Sequence, residues 1–165
     1  MIWLNEFRPL GNTCSTIIVV TILLSLSLYA ETMIGLPVAE NATADKPQSK
    51  AWYHDGAWWC ILHDGQTGSF FYRLQHGTWR KGQLIHPGRP ARADVLSDSN
   101  ELYVLVWTVE KARVFKFRYS DENSSYHLMS GFPVTLNLLK GHETAVLAKD
   151  SRGVLWATYE SQGTV

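Results

Sequence analysis

Short runs of aromatic and β-branched residues, separated by Asp, Gly, Ser and Asn, fill the chain from Lys50 onwards. Apolar runs of this length between turn-forming residues predict β-strands and hairpins rather than helices. The first four predicted strands are residues 50–54, 57–63, 69–75 and 78–85. Two of their breaks, Asp55-Gly56 and His76-Gly77, suit tight hairpins because glycine accepts the positive φ of such turns. The pattern therefore predicts a four-stranded antiparallel meander.

The same pattern then recurs along the chain. A second set of predicted strands comprises residues 92–96, 101–109, 112–119 and 125–129, and a third begins with residues 144–148 and 154–159. Four-stranded repeats about 40 to 50 residues apart are typical of propeller blades. We expect an all-β fold, a partial β-propeller of about two and a half antiparallel blades, with the blades at residues 50–85, 92–130 and 144–165.

A turn motif accompanies each repeat. Aligning Asp55, Asp98 and Asp150 places Trp58-Trp59, Tyr103 and Trp156 at nearly the same offset in the following strand. The aspartate should accept backbone hydrogen bonds, the glycine should take a positive φ and the aromatic ring should pack between blades. The structural residues predicted on this basis are Asp55, Gly56, Asp98, Asp150, Gly153 and Trp156. Calcium binding is the alternative, but no loop has the carboxylate density of a calcium loop. We therefore expect no metal and no cofactor.

The N-terminal 30 residues form a separate segment, which we expect to be a hydrophobic helix that precedes the propeller. Residues 10–30 carry no charge, Arg8 precedes them, and the small residue Ala30 ends them, as in a cleaved signal peptide. The alternatives are an uncleaved membrane anchor over the same residues or, less favoured, a buried hydrophobic helix. Either of the first two places the rest of the chain outside the cytoplasm. Residues 31–49, with Pro37 and Pro47, have the composition of a disordered linker.

Charge and cysteine content narrow the possible partners. Lys plus Arg and Asp plus Glu number 15 each, so no basic field favours nucleic acid. Cys14 and Cys60 have no neighbour at metal-ligand spacing, and the six histidines show no such spacing either. We expect Cys60 to be a buried, inert thiol.

Candidate ligand-binding residues lie where the first strand of each predicted blade begins. In a propeller these positions surround the mouth of the central channel. They hold Lys50, Arg92, Asp94, His142 and Glu143. Such charges favour an anionic, carbohydrate or protein ligand at the channel mouth, and the alternative is that they are merely solvated. The aromatic excess of the first blade is shared with carbohydrate binders, although packing between blades accounts for most of it.

The segment Lys149-Asp150-Ser151-Arg152-Gly153-Val154-Leu155-Trp156 resembles the D-x-x-G-x-L-W repeat of secreted bacterial sialidase-like β-propellers. It is also similar to the Asp-box of sialidases, with the acid one position further from the glycine. Arg92-Ala93-Asp94-Val95-Leu96 and Gly131-Phe132-Pro133-Val134 extend the likeness. The resemblance implies an exported binding or scaffold module, with a sialidase-like glycoside hydrolase as the alternative.

Catalysis and ring closure both require more than this chain contains. A hydrolase needs two facing carboxyl groups, or for a sialidase an arginine cluster with a Tyr and Glu pair, and no complete set is recognisable, so a non-enzymatic role is favoured. Propellers have four to eight blades. We therefore expect the chain to be a fragment of a longer protein or to associate with other copies of itself.

Overall fold

The computed structural model describes residue 38 and residues 49–88, 91–108, 111–136 and 144–159. Over these residues the protein is all-β, with three antiparallel sheets and no helix. In the same ranges there is accordingly no helical segment able to span a bilayer. The predicted signal or anchor of residues 10–30 and most of the predicted linker lie outside the described residues.

The first sheet is the meander that the sequence predicts. Its strands, in spatial order, are β1 (Ala51–His54), β2 (Ala57–His63), β3 (Gly68–Gln75) and β4 (Thr78–Pro87). The turn between β1 and β2 has Asp55 at φ 48° and Gly56 at φ 68°, and that between β3 and β4 has His76 at φ 48° and Gly77 at φ 72°. Two successive residues at positive φ make the tight turn whose twist matches that of the flanking strands.

The second sheet has five strands where four were expected. It contains β5 (Arg92–Asp98), β6 (Glu101–Trp107), β7 (Ala112–Ser120), β8 (Ser125–Leu128) and β9 (Val134–Leu136). Both β8 and β9 pair with β7, β8 with its second half and β9 with its first three residues. The prediction of one outer strand was incomplete, because a three-residue strand is too short to show an alternating pattern. The predicted strand of residues 101–109 also ends earlier, at Trp107.

The third sheet, within the described residues, is the hairpin of β10 (Ala145–Lys149) and β11 (Leu155–Tyr159). Side chains alternate across it, so Leu147 and Ala157 share one face while Ala148 and Trp156 share the other. The first of these faces is turned towards the second sheet, because Leu147, Leu155, Ala157 and Tyr159 belong to the apolar cluster that also contains Leu105 and Trp107.

Two apolar cores join the three sheets in succession. The first lies between the first and second sheets and is rich in rings, among them Trp52, Trp59, Phe71, Phe117 and Tyr126. The Trp52 indole N–H donates to the Tyr126 hydroxyl across it at 2.9 Å. The second core lies between the second and third sheets. The second sheet is therefore covered on both faces. Each large apolar side chain that is fully buried in these cores contributes about 1.5–3 kcal/mol to the stability of the fold.

Large aromatic side chains are exposed on the outer faces of the first and third sheets. On the first sheet, Tyr53 and Trp58 are cross-strand partners with 59% and 50% of their surfaces exposed. On the third, Trp156 is 54% exposed. Trp59, the next residue on β2, points to the opposite face from Trp58 and is only 6% exposed.

Candidate functional site

Asp94 ties together the first strands of all three sheets. Its carboxylate is buried and accepts the backbone N–H of Ser49, just before β1, and that of Leu147, in β10, each at 2.8 Å. The Val95 N–H also donates to the Ser49 carbonyl at 2.8 Å. A buried carboxylate is stable only when such donors replace water. Asp94 therefore has a structural role in this network. A residue at a channel mouth was expected to face solvent instead.

The two predicted basic residues, Lys50 and Arg92, are far apart in sequence but lie near one another, and near Asp94, in the fold. Burial and the neighbouring Arg92 guanidinium lower the pKa of the Lys50 amine from its ordinary value. Their proximity follows from strand placement, because β5 contacts both β1 and β10. The structure thus brings Lys50, Arg92 and Asp94 together, while His142 and Glu143 lie outside the described residues. The role of this group in ligand binding remains a prediction.

The Asp150 turn has the hydrogen bonding that the motif predicts. The Asp150 Oδ1 atom accepts the N–H groups of Arg152 and Val154, each at 2.9 Å, and Gly153 has a φ of 85°. The Val154 N–H is the main reason why the pKa of Asp150 is lowered. The Trp156 indole N–H donates to the same carboxylate at 3.3 Å. These bonds hold the aspartate in its ionised form and fix the hairpin loop.

The packing between blades that the motif predicts for Trp156 is not seen between the second and third sheets. Trp156 lies on the face of β11 turned away from the second sheet and is 54% exposed. The alternation of β11 is the reason, since Leu155 and Ala157 occupy the inward positions.

Asp55 and Asp98 bind side chains of the following sheet instead of capping their own turns. The Tyr119 hydroxyl, on β7, donates to Asp55 Oδ2 at 2.5 Å. Lys149 Nζ, on β10, donates to Asp98 Oδ2 at 2.6 Å. Asp55 and Asp98 therefore each connect their own sheet to the next one. This role depends on tertiary contacts and was not apparent from the repeat.

The predicted turn residues of the second and third sheets also meet around an open cleft. Asp98, Asp150 and Gly153 line a depression of about 580 Å³ together with Lys149 and Arg152. Both carboxylates are already paired, Asp98 with Lys149 at 2.6 Å and Asp150 with Arg152 at 3.3 Å. In the described ranges, no group of three or more His, Cys, Asp or Glu residues is arranged to hold a metal ion.

Asp64 is a loop aspartate that the repeat alignment did not single out. Its Oδ1 atom accepts the N–H groups of Gln66, Thr67 and Gly68 at 2.7 to 3.1 Å, and Lys81 Nζ donates to Oδ2 at 2.6 Å. The Lys81 bond is the largest of the effects that hold the pKa of Asp64 well below its usual range. The signal available in the sequence was Asp64-Gly65-Gln66-Thr67-Gly68, a loop rich in residues that form such turns.

Cys60 is buried on β2. Its burial raises the pKa of the thiol to about 12, so the reactive thiolate is scarce at neutral pH.

Comparisons of the chain with protein-family models, with curated proteins and with solved structures find no significant match.

Proposed function

We propose that the three sheets are successive blades of a β-propeller and that the protein is an exported binding or scaffold module. The observation that carries this proposal is the way the sheets follow one another. Each sheet packs face to face on the next through its own apolar core, while the strands β1, β5 and β10 adjoin through Asp94. Propeller blades pack in this manner, with the first strand of each beside the central channel.

The exposed outer faces support the further proposal that additional sheets complete the ring. Tyr53 and Trp58 at one end of the stack, and Trp156 at the other, are large apolar side chains that propeller blades normally cover. The covering sheets would come from a longer form of the protein or from other copies of the chain. Carbohydrate or protein ligands would then bind at the channel mouth, near Lys50 and Arg92.

The Asp150 turn supports the proposed relationship with sialidase-like repeat propellers. An aspartate that accepts N–H groups two and four residues ahead, followed by a tryptophan bonded to the same carboxylate, gives the D-x-x-G-x-L-W pattern a physical basis. The same turn favours the second candidate function, a piece of a sialidase-like glycoside hydrolase. That candidate still requires a catalytic set that the sequence does not provide.

Activity and binding assays separate the two functions. The purified chain would be incubated with fluorogenic sialosides and other fluorogenic glycosides, and in parallel applied to a glycan array. A binding module should give no turnover above a heat-denatured control and should retain selected glycans or a protein partner. Saturable hydrolysis by the native chain would overturn the proposal in favour of the hydrolase.

Export is tested in a Gram-negative host. With a C-terminal tag, the chain should be recovered from the periplasm or the membrane, and its mass should be smaller by about 30 residues if a signal peptide is removed. A full-length, soluble product confined to the cytoplasm would contradict export while leaving the propeller proposal intact.

A further inference from the structure

A second cleft lies between the first and second sheets, at the end where the β3–β4 and β7–β8 turns approach each other. Its volume is about 300 Å³, which is the lower end of the range for small-ligand sites. Trp59, Phe71 and Tyr126 lie beneath it and belong to the first apolar core. Its rim is polar or charged, formed in part by Arg73, Gln75, Arg80, Gln83, Asn123, Ser124 and Ser125. We call it the arginine cleft.

Two arginines face each other across neighbouring strands in this cleft. Arg73 of β3 and Arg80 of β4 are directly paired, so their side chains share one face of the sheet. Like charges placed opposite one another are unfavourable in a sheet. In the described part of the chain, Arg80 has no ion-pair partner, and Asp55 is the only acid that pairs with Arg73. The cleft therefore keeps an excess of positive charge.

The position of the Arg73 guanidinium is restricted, but its hydrogen bonds are long. Its guanidinium lies 5.0 Å from the centre of the Trp59 ring, which restricts its position. Its three hydrogen bonds, to the Ser124 carbonyl and to the carbonyl and Oδ2 of Asp55, are 3.3 to 3.5 Å long. Charge-assisted bonds are normally about 2.7–2.9 Å long. The shortest bond to Asp55 belongs instead to Tyr119, at 2.5 Å. Arg73 Nε is buried with no acceptor among the described residues.

We propose that the arginine cleft binds the oxyanion group of a small ligand, a carboxylate or a sulfate, between Arg73 and Arg80. A guanidinium presents a planar fork of donors that matches such groups, and an anion between two guanidinium groups would remove their mutual repulsion. Asn123 and Ser124 lie on the same rim, and the side-chain amide of Asn123 can donate a further hydrogen bond to the ligand.

This site is distinct from the channel mouth predicted from the sequence. It lies between sheets rather than at the starts of β1 and β5, and it does not need a closed ring. The inference rests on the proposed function in one respect: both require that the protein binds a ligand.

Nuclear magnetic resonance titration of the full chain tests the proposal. The probes are glucuronate, its neutral counterpart glucose, and sodium sulfate, each at ionic strength matched with sodium chloride. Glucuronate or sulfate should shift the Trp59 indole and Ser124 amide resonances to saturation, whereas glucose and chloride should not. Binding of glucuronate alone would assign a carboxylate, and binding of sulfate alone would assign a sulfate.

Matched variants locate the binding. Arg80 is exposed, so Arg80→Gln should leave the fold intact while weakening binding about tenfold or more. Arg80→Lys, which keeps the charge but loses the fork, should give an intermediate loss. Arg92→Gln, at the predicted channel mouth, should leave binding in the cleft unchanged. Shifts that never saturate, or that chloride reproduces, would overturn the proposal. Saturable binding abolished by Arg92→Gln but not by Arg80→Gln would reject the cleft and leave the binding module standing.

Discussion

A single carboxylate, that of Asp94, holds the three sheets together at their first strands. Asp94→Ala would remove the acceptor of the buried Leu147 N–H and of the Ser49 N–H, which is partly exposed to water. A buried unsatisfied group costs roughly 1–3 kcal/mol, and the partly exposed Ser49 N–H adds less, so the variant should lose roughly 1–4 kcal/mol of stability. Asp94→Asn keeps one acceptor oxygen, so its stability should lie between that of the parent protein and that of Asp94→Ala. Urea denaturation followed by tryptophan fluorescence measures both, with the exposed Asp121→Ala as control. Equal stability of the Ala variant and the control would contradict this role.

His86 should make the protein sensitive to acid. Burial, the Arg113 charge and His63 lower its pKa from the ordinary value of 6.5. The unfolded chain then binds this proton at a higher pH than the folded chain, so stability falls as the pH drops through about 6.5 towards the lowered pKa. Urea midpoints at about pH 7.5 and about pH 5.5 should differ less for His86→Gln than for the parent.

The control for that measurement is His76→Asn, which removes an exposed histidine from a turn. Asparagine tolerates the φ of 48° found there, so the turn should persist. This variant should keep the acid sensitivity of the parent protein. A His86→Gln variant with an unchanged pH dependence would show that other groups cause the effect.

At the scale of the element, two hairpin glycines should differ in what a methyl group costs. A Cβ atom at Gly68 would lie 2.4 Å from the His86 carbonyl oxygen and 3.1 Å from Pro87 Cα, both backbone atoms that cannot move independently. At Gly153 the nearest described atom is 3.8 Å away, and the cost comes from its φ of 85° alone. Gly153→Ala should therefore lose about 1 kcal/mol. Gly68→Ala should lose more, about 1–3 kcal/mol.

Thermal and urea unfolding of both variants, with Ser151→Ala as a neutral control in the Asp150 loop, would measure this order. A larger loss at Gly153 than at Gly68 would mean that the β3–β4 pairing near Gly68 relaxes more easily than its backbone contacts imply.

The strands were predictable because their signals are local, whereas the connections between sheets were not. Alternating apolar residues and Asp-Gly or His-Gly breaks indicated nearly every strand to within a few residues. Nothing local marked β9, whose pairing with β7 is decided by distant residues. Likewise the spacing of Asp55 and Asp98 could not reveal that each binds the next sheet. The pairing of Arg73 with Arg80, in contrast, follows from the two-residue turn predicted at His76-Gly77.

At the scale of the whole molecule, the inner faces of the stacked sheets are covered, and the two outermost faces carry exposed side chains. Both faces of the second sheet are buried in apolar cores, whereas the outer faces of the first and third sheets carry exposed rings. A cooperative unit can tolerate single exposed side chains, but a contiguous apolar sheet face favours association. The surface of the first sheet around Tyr53 and Trp58 is therefore where contact with another blade or another copy should form.

Association should thus depend on that surface. Size-exclusion chromatography with light scattering of residues 50–165 should show mass rising with protein concentration, or precipitation. The double variant Tyr53→Thr and Trp58→Thr keeps β-forming residues and removes both exposed aromatic side chains, so it should shift the chain towards monomer. Its unfolding midpoint should fall only slightly, through loss of the edge-to-face contact between the two rings. His127→Thr, an exposed change on β8, should leave the association of the parent unchanged. A sharp, cooperatively melting monomer at every concentration would mean that these faces stand open in a complete domain, and that the three sheets need no further blades.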